Sequence, residues 1–347
     1  MTSLDETRSA VGTASDRGAA PGSAMTREEF SAHCAAILKN LCSVIDGKDA
    51  EVSMALTVFL AGGHLLMEDV PGTGKTVLAK SLAVSVGGTV SRIQFTPDLL
   101  PSDVTGVSVF NQATRDFEFK PGPVFANVVI GDEINRASPK TQSALLECME
   151  ERQVSVDGVT HVLPRPFAVV ATQNPVEMEG TYSLPEAQRD RFMARLSLGY
   201  PDERAELEMI RTRDAASPLE ELRQVVGHDQ LTRMMDYVQS IYVAPPVQEY
   251  VVAIMQATRI DPELRLGGSP RATLQLIAAA KALAAINDRD FVVPDDIDVL
   301  AVPVLGHRLL PATRLPGRSG TGASHSVTEI VQRIVAATPV PFSGRAD

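Results

Sequence analysis

Glu68-Asp69-Val70-Pro71-Gly72-Thr73-Gly74-Lys75-Thr76-Val77 is the stretch that decides the fold. It follows a short apolar run, 64–68, and precedes a segment, 75–86, with the composition of a helix, so it predicts a loop between a strand and a helix. Glycines let such a loop wrap closely around an anion, and its N–H groups and the helix N-terminus offer partial positive charge. The stretch therefore predicts a phosphate-binding loop. Its nucleotide-binding residues are Pro71, Gly72, Thr73, Gly74, Lys75, Thr76 and Val77.

Lys75 and Thr76 have separate predicted roles in this loop. We expect Lys75 to reach the β- and γ-phosphates of ATP and the Thr76 hydroxyl to ligate Mg²⁺. The strict loop pattern requires glycine at position 69, where this chain has Asp69. A glycine turn followed by an accidental Lys-Thr is the alternative, but the strand–loop–helix context favours the phosphate loop.

Two acidic residues follow a second apolar run, 128–131. Asp132 and Glu133 then lie at the carboxyl end of a predicted strand, which is the edge where open α/β sheets bind ligands. We expect Asp132 to hold Mg²⁺ and Glu133 to orient the attacking water or accept its proton. Acidic residues commonly begin loops, so the pair is informative because of the phosphate loop upstream.

Three further residues are candidates with weaker local signals. Asn174 follows the apolar run 168–172 and could contact both the γ-phosphate and the water, although Asn before Pro is also a common turn. Arg191 could reach the γ-phosphate of a neighbouring subunit, or could form a surface pair with an acidic residue. Arg271 opens a predicted helix and could reach back to the nucleotide between the domains, or could be a solvated residue of a first turn.

The chain divides into two textures around residue 200. Alternating strands and helices over 25–200 predict an α/β class with a parallel sheet flanked by helices. Residues 201–342 show helical spacing without a strand pattern, which predicts an all-helical second domain. The low hydrophobicity of 1–24 predicts a disordered tail, 343–347 is expected to be a short tail, and 311–325 read as a mobile loop.

Two β-hairpins are predicted to interrupt the first domain. Residues 107–119 read as strand, turn and strand. Residues 153–162 carry Asp157-Gly158 between β-rich runs, which is a strong hairpin signal.

Composition limits the classes of function. The 347 residues carry a net charge of −11 with 5% aromatic residues, which makes a nucleic-acid partner unlikely on this composition. The longest apolar stretch is too short and too interrupted to span a bilayer, so we expect no direct membrane insertion. Three cysteines without a C-x-x-C pattern indicate a reducing compartment and buried thiols, and the chain is expected to be cytoplasmic.

Together these segments resemble the MoxR family of AAA+ ATPases, which is similar in plan to the magnesium chelatase ATPase subunit. The resemblance extends from about Met25 to Phe342. It is carried by the loop 68–76 and by Gln94-Phe95-Thr96-Pro97-Asp98-Leu99-Leu100-Pro101-Ser102-Asp103, Lys120-Pro121-Gly122-Pro123, Asp132-Glu133-Ile134-Asn135-Arg136, Ala171-Thr172-Gln173-Asn174-Pro175, Leu184-Pro185-Glu186-Ala187-Gln188 and Asp190-Arg191-Phe192.

The resemblance implies roles for the candidate residues. Asp132 and Glu133 match the Walker B pair, Asn174 matches sensor 1, Arg191 the arginine finger and Arg271 sensor 2. Arg189 lies in the same region as Arg191, and Arg191 is favoured as the finger. The two hairpins match the inserts that face the ring's pore or its partner.

The resemblance also implies an assembly and a task. A homo-oligomeric ring, typically a hexamer, would bind ATP and Mg²⁺ between subunits. Such a ring would remodel partner proteins or insert a metal or cofactor into them, often into proteins with a von Willebrand factor A domain. A nucleic-acid translocase, a nucleotide-gated scaffold with little turnover and a small-molecule kinase remain as alternatives, of which the kinase has no use for the inserts.

Overall fold

The computed structural model describes residues 25–70, 72–174, 182, 184–201, 203–212, 218–312 and 325–341. The predictions for the tails 1–24 and 343–347, for Pro71 and for most of the loop 311–325 lie outside the described residues.

A five-stranded parallel sheet forms the centre of the first half of the chain. Its spatial order is β2-β5-β8-β1-β9, so the strand before the phosphate loop lies between β8 and β9. The strands are β1 (Leu65–Glu68), β2 (Val90–Gln94), β5 (Val128–Asp132), β8 (Ala168–Gln173) and β9 (Ala194–Leu196).

Helices cover the sheet and make up most of the second half of the chain. In the first half they are α1 (Arg27–Cys42), α2 (Asp49–Leu60), α3 (Lys75–Ser85), α4 (Pro101–Thr105), a 3₁₀ turn (Ile134–Arg136), α5 (Pro139–Glu151) and α6 (Glu186–Arg189). In the second half they are α7 (Glu203–Thr212), α8 (Pro218–Glu221), α9 (His228–Ser240), α10 (Pro245–Ile260), α11 (Pro270–Ile286), α12 (Pro294–Leu305) and α13 (Val327–Ala337).

The central strands are buried on both faces, as continuous apolar runs in a parallel sheet predict. Val128 and Ile130 of β5 pack on the side of α1, α2 and α3, while Val129 packs on the opposite side with Leu145 of α5. This alternation places the sheet between two layers of helices, so the predicted α/β class with a flanked parallel sheet is confirmed.

The second half of the chain packs directly on the N-terminal helices. Helix α11 contacts both α1 and α2, and the apolar side chains of these helices form one continuous core. Helix α1 begins with a capping box, in which the Thr26 hydroxyl accepts from the Glu29 N–H and the Glu29 carboxylate accepts from the Thr26 N–H. The helical domain is therefore anchored to the segment that precedes the phosphate loop.

Both predicted hairpins are present. The first consists of β3 (Gly106–Asn111) and β4 (Asp116–Pro121), and the second of β6 (Gln153–Val156) and β7 (Val159–Val162). Asp157 and Gly158 occupy the second turn with positive φ angles of 51° and 79°, as an Asp-Gly turn requires.

The prediction of an all-helical second domain is wrong in one detail. Two short strands, β10 (Leu264–Leu266) and β11 (Leu310–Pro311), pair antiparallel beside the start of α11. Strands of two or three residues are too short to produce a readable alternation of apolar and polar side chains. Among the described helices, none combines the length and the apolar character that a bilayer crossing requires.

Candidate nucleotide-binding site

A cavity of about 830 Å³ opens where β1, β5 and β8 end. The phosphate loop and the start of α3 form one wall, and Asp132, Glu133 and the end of β8 form another. The carboxyl ends of parallel strands meet at one edge of a sheet, so residues far apart in the sequence converge there. Its lining includes Gly72, Thr73, Gly74, Lys75, Thr76, Val77, Asp132, Glu133 and Asn174, all of which the sequence predicts.

The phosphate loop needs glycine because of its backbone conformation and not because a side chain would lack room. Gly72 and Gly74 have φ angles of 85° and 89°, in the region that residues with a Cβ rarely adopt. A Cβ on Gly72 would meet nothing within 4 Å, and one on Gly74 would lie 3.8 Å from Ile45. The sharp turn before α3 therefore depends on glycine conformation, and Gly74 directly precedes the helix N-terminus.

Lys75 lies inside the loop that precedes it. Its Nζ donates to the backbone carbonyls of Asp69, at 3.0 Å, and Val70, at 2.7 Å. Burial lowers the pKa of the Lys75 ammonium, and the carboxylates of Asp69, Asp132 and Glu133 oppose that shift. To bind a phosphate in the cavity, Lys75 would have to break its hydrogen bonds to these two carbonyls.

Asp132 faces the start of α3. One oxygen, Oδ1, lies 3.5 Å from the Thr76 hydroxyl and accepts from the Thr172 hydroxyl at 3.3 Å. The other, Oδ2, accepts from Nε of Arg92 at 2.6 Å. Arg92 also lines the cavity, and no sequence signal singled it out, because it lies on the exposed edge strand β2.

Glu133 is held from several sides. Its carboxylate accepts from Gln94 at 3.1 Å and pairs with Arg136 at 3.0 Å. Its N–H donates to the Thr172 hydroxyl, and its φ angle of 59° is left-handed, which is uncommon for a residue other than glycine. The turn after β5 thereby directs this carboxylate toward the cavity wall.

Asn174 ends β8 at the same edge of the sheet. It is buried and lines the cavity near Thr172 and Glu133. Its neighbour Gln173 also lines the cavity. The structure therefore brings Asn174 to the acidic pair, as the sequence predicts.

The hydrogen bonds of Asp69 explain why it stands where the strict pattern has its first glycine. Its buried carboxylate accepts from the Ser197 hydroxyl at 2.7 Å and from the backbone N–H groups of Leu198 and Gly199 at 2.6 and 3.1 Å. These bonds tie the start of the phosphate loop to the segment after β9, which also lines the cavity. Position 69 has no positive φ angle, so glycine is not required there.

The far side of the cavity is formed by parts outside the sequence motifs. Residues 42–46 after α1, with Pro201, Ala205 and Pro218, line it. Cys42 is half-buried at this wall, so the expectation of a core thiol is wrong for this residue, whereas Cys34 and Cys148 are buried. The end of an amphipathic helix exposes one flank, which periodicity alone does not reveal.

Arg191 and Arg271 lie together, away from the cavity lining. Both guanidinium groups contact the Glu150 carboxylate, Arg191 at 2.7 Å to Oε2 and Arg271 at Oε1. Arg191 also donates to the carbonyl of Leu146 at 2.6 Å. We call Arg191, Arg271 and Glu150 the arginine cluster.

The cluster places Arg271 outside the lining of the cavity in its own chain, because the start of α11 faces the end of α5. A contact between Arg271 and the nucleotide stays a prediction. Arg189, the other candidate finger, is half-buried, and its Nε has no hydrogen-bond partner. Arg191 is therefore the arginine that shares a carboxylate with Arg271.

The residues of the cavity fit a magnesium nucleotide. Magnesium in such sites is held by a few protein oxygens together with phosphate oxygens and water. Thr76 and Asp132 supply hydroxyl and carboxylate oxygens side by side, and the glycine turn leaves room for phosphates against the N-terminus of α3. Among the described residues, no group of three or more His, Cys, Asp or Glu side chains is placed to hold a metal ion.

The strand order, the phosphate loop and the acidic pair at the end of β5 define a P-loop ATPase fold of the AAA+ class. A profile described as "ATPase family associated with various cellular activities (AAA)" matches residues 64–194, and one described as "AAA lid domain" matches 256–334. A crystal structure of a candidate ATPase from Cytophaga hutchinsonii superposes with a TM-score of 0.83 at 36% identity, covering 91% of this chain and 97% of that one.

Relatives define the family more narrowly. Chaperone MoxR1 of Mycobacterium tuberculosis is 44% identical over 276 residues, which cover 77% of this chain and 73% of that protein. Protein MoxR of Methylorubrum extorquens is 30% identical over 83% of this chain and 90% of its own length. The Bacillus subtilis protein YeaC, whose name carries no function, is 47% identical over 89% of this chain and 95% of its own length. The chain belongs to the MoxR family of AAA+ ATPases.

Proposed function

We propose that this protein binds and hydrolyses Mg-ATP in a ring of identical subunits, typically a hexamer, and uses the hydrolysis to remodel or mature partner proteins. The observation that carries the proposal is the convergence of Lys75, Thr76, Asp132 and Glu133 on one cavity at the strand ends. The chaperone name of the mycobacterial relative supports a protein client.

The phosphate loop and Lys75 supply binding. Gly72, Gly74 and the N-terminus of α3 line the cavity, and their backbone N–H groups would surround the β- and γ-phosphates. Lys75 would exchange the carbonyls of Asp69 and Val70 for phosphate oxygens, which are stronger acceptors because they are charged.

Thr76 and Asp132 would hold Mg²⁺, which when bound neutralises charge that develops on the phosphates. Asp132 must then exchange its contact with Arg92. Glu133 would take the proton of the attacking water, and Asn174 would position that water beside the γ-phosphate. Gln94 and Arg136 hold the Glu133 carboxylate and thereby set its direction.

The arginine cluster would complete a neighbouring subunit's site. Arg191 and Arg271 lie away from the cavity of their own chain, which supports a role across a subunit interface. Guanidinium groups there would stabilise the charge of the transferring phosphoryl group.

The client would be a protein, and a von Willebrand factor A domain is the class that the family resemblance implies. Among alternatives, a nucleic-acid translocase would need a basic surface, and the net charge of −11 does not favour one.

An ATPase assay with two variants tests the proposal. The purified protein should release phosphate in the presence of Mg²⁺, with turnover per subunit rising with protein concentration as rings assemble. Glu133→Gln should bind ATP with nearly unchanged affinity and lose turnover by at least about a hundredfold, because only the proton acceptor is removed. Normal hydrolysis by Glu133→Gln would contradict the assigned chemistry, and absence of turnover in the unaltered protein would favour a nucleotide-gated scaffold.

A further inference from the structure

A buried arginine connects the helical domain to the segment that carries Arg191. Arg308 follows α12, and only 3% of it is exposed. It is not among the described residues that line the nucleotide cavity, and the chemistry proposed above does not use it.

The Arg308 guanidinium donates to several acceptors of the core. It contacts the carbonyl of Phe192 and donates to that of Met193 at 3.2 Å, so it binds the backbone directly after Arg191. It also contacts Asp190, at 3.4 Å, on the other side of Arg191. The residues on both sides of Arg191 are therefore held by one side chain from the helical domain.

The same side chain is tied to helix α11. Arg308 contacts the Gln275 side chain, one turn along α11 from Arg271. Asp190, the acidic partner of Arg308, accepts from the hydroxyl of Ser269 at 2.8 Å. Ser269 is the N-cap of α11, and its oxygen accepts from the N–H of Ala272.

Stability alone is a weak explanation for this arrangement. Removing a guanidinium from water costs free energy that pairing often fails to offset, so a buried ion pair is poor evidence for net stability. Burial lowers the pKa of Arg308 to about 10, and Asp190 opposes that shift, so the side chain keeps its charge at neutral pH. The planar guanidinium instead fixes the positions of its acceptors, because its N–H donors are fixed relative to one another.

We propose that Arg308 is a positioning residue that holds the 190–193 segment and the N-terminus of α11 together, so that Arg191 and Arg271 act as one unit. The proposal rests on the proposed role of these two arginines at a neighbouring subunit's nucleotide. It adds that their spacing is set inside the donor subunit by Arg308, Asp190 and Ser269, in addition to their shared contact with Glu150.

Two substitutions and a matched control test the proposal. Arg308→Met keeps the volume and removes the donors, and Arg308→Lys keeps the charge and removes the planar guanidinium. Arg289→Met is the control, because Arg289 pairs with the buried Asp296 elsewhere in the helical domain and is remote from Arg191. Both Arg308 variants should bind ATP with a Kd within about twofold of the unaltered protein, as their own cavities are intact.

Turnover should separate the variants. Arg308→Met should lower kcat by roughly a hundredfold, since a displacement of about 1 Å in a catalytic group has effects of that size, and Arg308→Lys should lower it less. Arg289→Met should leave kcat per assembled subunit within about twofold. In a background that carries both Arg191→Ala and Arg271→Ala, Arg308→Lys should cause no further loss, because a residue that acts through these two arginines has no effect once both are removed.

Mixed rings provide the decisive readout. Lys75→Ala subunits cannot contribute a competent nucleotide site of their own, yet they carry intact Arg191, Arg271 and Arg308. In excess, they should restore the turnover of Arg308→Met subunits, whose cavities would then face intact arginines. Arg191→Ala subunits should be restored in the same way.

The outcomes distinguish the inference from the function on which it rests. Restoration of Arg191→Ala but not of Arg308→Met would overturn the positioning role and show that Arg308 supports its own subunit instead. A further loss from Arg308→Lys in the background that lacks both Arg191 and Arg271 would overturn it as well. If Arg191→Ala itself retains full turnover at all protein concentrations, the role across the interface fails, and the inference fails with it. A melting temperature of Arg308→Lys close to that of the unaltered protein establishes that the variants are folded.

Discussion

The nucleotide cavity and the arginine cluster differ in how their parts are distributed along the sequence. The cavity is assembled from short contiguous motifs at strand ends, and its longest motif, 72–77, covers the phosphate loop and the first turn of α3. The cluster joins Glu150 to Arg271, which are 121 positions apart, and no short motif contains both. The cavity can therefore be recognised from the sequence, whereas the cluster becomes visible only in the fold.

The two regions also differ in what their side chains contact. In the cavity, Lys75 binds a backbone carbonyl and Arg92 binds the Asp132 carboxylate. A bound magnesium nucleotide would replace both contacts. Beside the cluster, Arg308 binds groups of its own chain, and a nucleotide in the cavity would not replace these contacts. The comparison predicts that substitutions in the phosphate loop change ATP binding and that substitutions at the cluster change turnover without changing ATP binding.

The largest effect on ATP binding should come from Lys75→Ala. The variant loses the charged donor to the phosphates, and ATP affinity should fall by at least about a hundredfold, the equivalent of two charge-assisted hydrogen bonds. Titration calorimetry with Mg-ATP measures this directly. Lys80→Ala, on the same helix, is the control and should bind normally; micromolar affinity in Lys75→Ala would refute the phosphate-loop assignment.

Arg191→Ala and Arg271→Ala should show the opposite pattern. Each should bind ATP normally and lose turnover, Arg191→Ala by about a thousandfold, the lower end of arginine-finger effects. The measurement is phosphate release at several protein concentrations, with Arg27→Ala, an exposed arginine of α1, as the control. Unchanged kcat together with weakened ATP binding would erase the distinction between the two regions.

Asp69→Gly would restore the strict loop pattern, and it should nevertheless weaken the protein. The N–H groups of Leu198 and Gly199 would lose their acceptor, at a cost of about 3 kcal/mol in the free energy of unfolding. Urea unfolding measures this, and Asp69→Asn, which keeps one acceptor oxygen, should lie between. A variant as stable as the unaltered protein would show that the three bonds are dispensable.

The smallest effect concerns pH. Burial is the main cause that lowers the pKa of His64 to about 4, while its Nε2 donates to Met149 and its Nδ1 accepts from Val169. The unfolded chain thus binds a proton near pH 6.5 that the folded chain excludes, so stability falls as pH falls from 6.5 toward 4. Between pH 6.5 and 5.5 the loss from this group should be about 1 kcal/mol.

His64→Gln should reduce that pH dependence by about the same amount, because glutamine does not titrate and can make both hydrogen bonds. Urea unfolding at several pH values measures the slope. His228→Gln removes an exposed histidine and serves as the control. Parallel slopes for His64→Gln and the unaltered protein would contradict the assignment. His307, whose pKa burial lowers to about 3, contributes in the same direction and remains in the variant.

The sequence predicted the parts of the molecule that depend on local order. Asp157-Gly158 marks a hairpin by itself, and the phosphate loop is readable because its glycines, lysine and threonine are adjacent. The apolar runs 128–131 and 168–172 predicted buried strands, and both are central in the sheet.

The remaining parts depend on tertiary contacts. Arg92 lies on an edge strand without a distinctive pattern, and its pairing with Asp132 follows only from the strand order β2-β5. The direction of Arg271 depends on how α11 packs against α5, which no spacing encodes. A strand as short as β11 forms because it pairs with a neighbouring segment, and it is too short to show an alternation of apolar and polar side chains in the sequence.

The left-handed backbone of Glu133 has an evolutionary consequence. A residue with a Cβ in that conformation costs its chain about 1 kcal/mol, which glycine would recover. On the role proposed for Glu133, the position sets selection for turnover against selection for thermal stability. In a gene copy whose product no longer needs to hydrolyse ATP, a change of residue 133 to glycine or asparagine would slightly increase the free energy of unfolding.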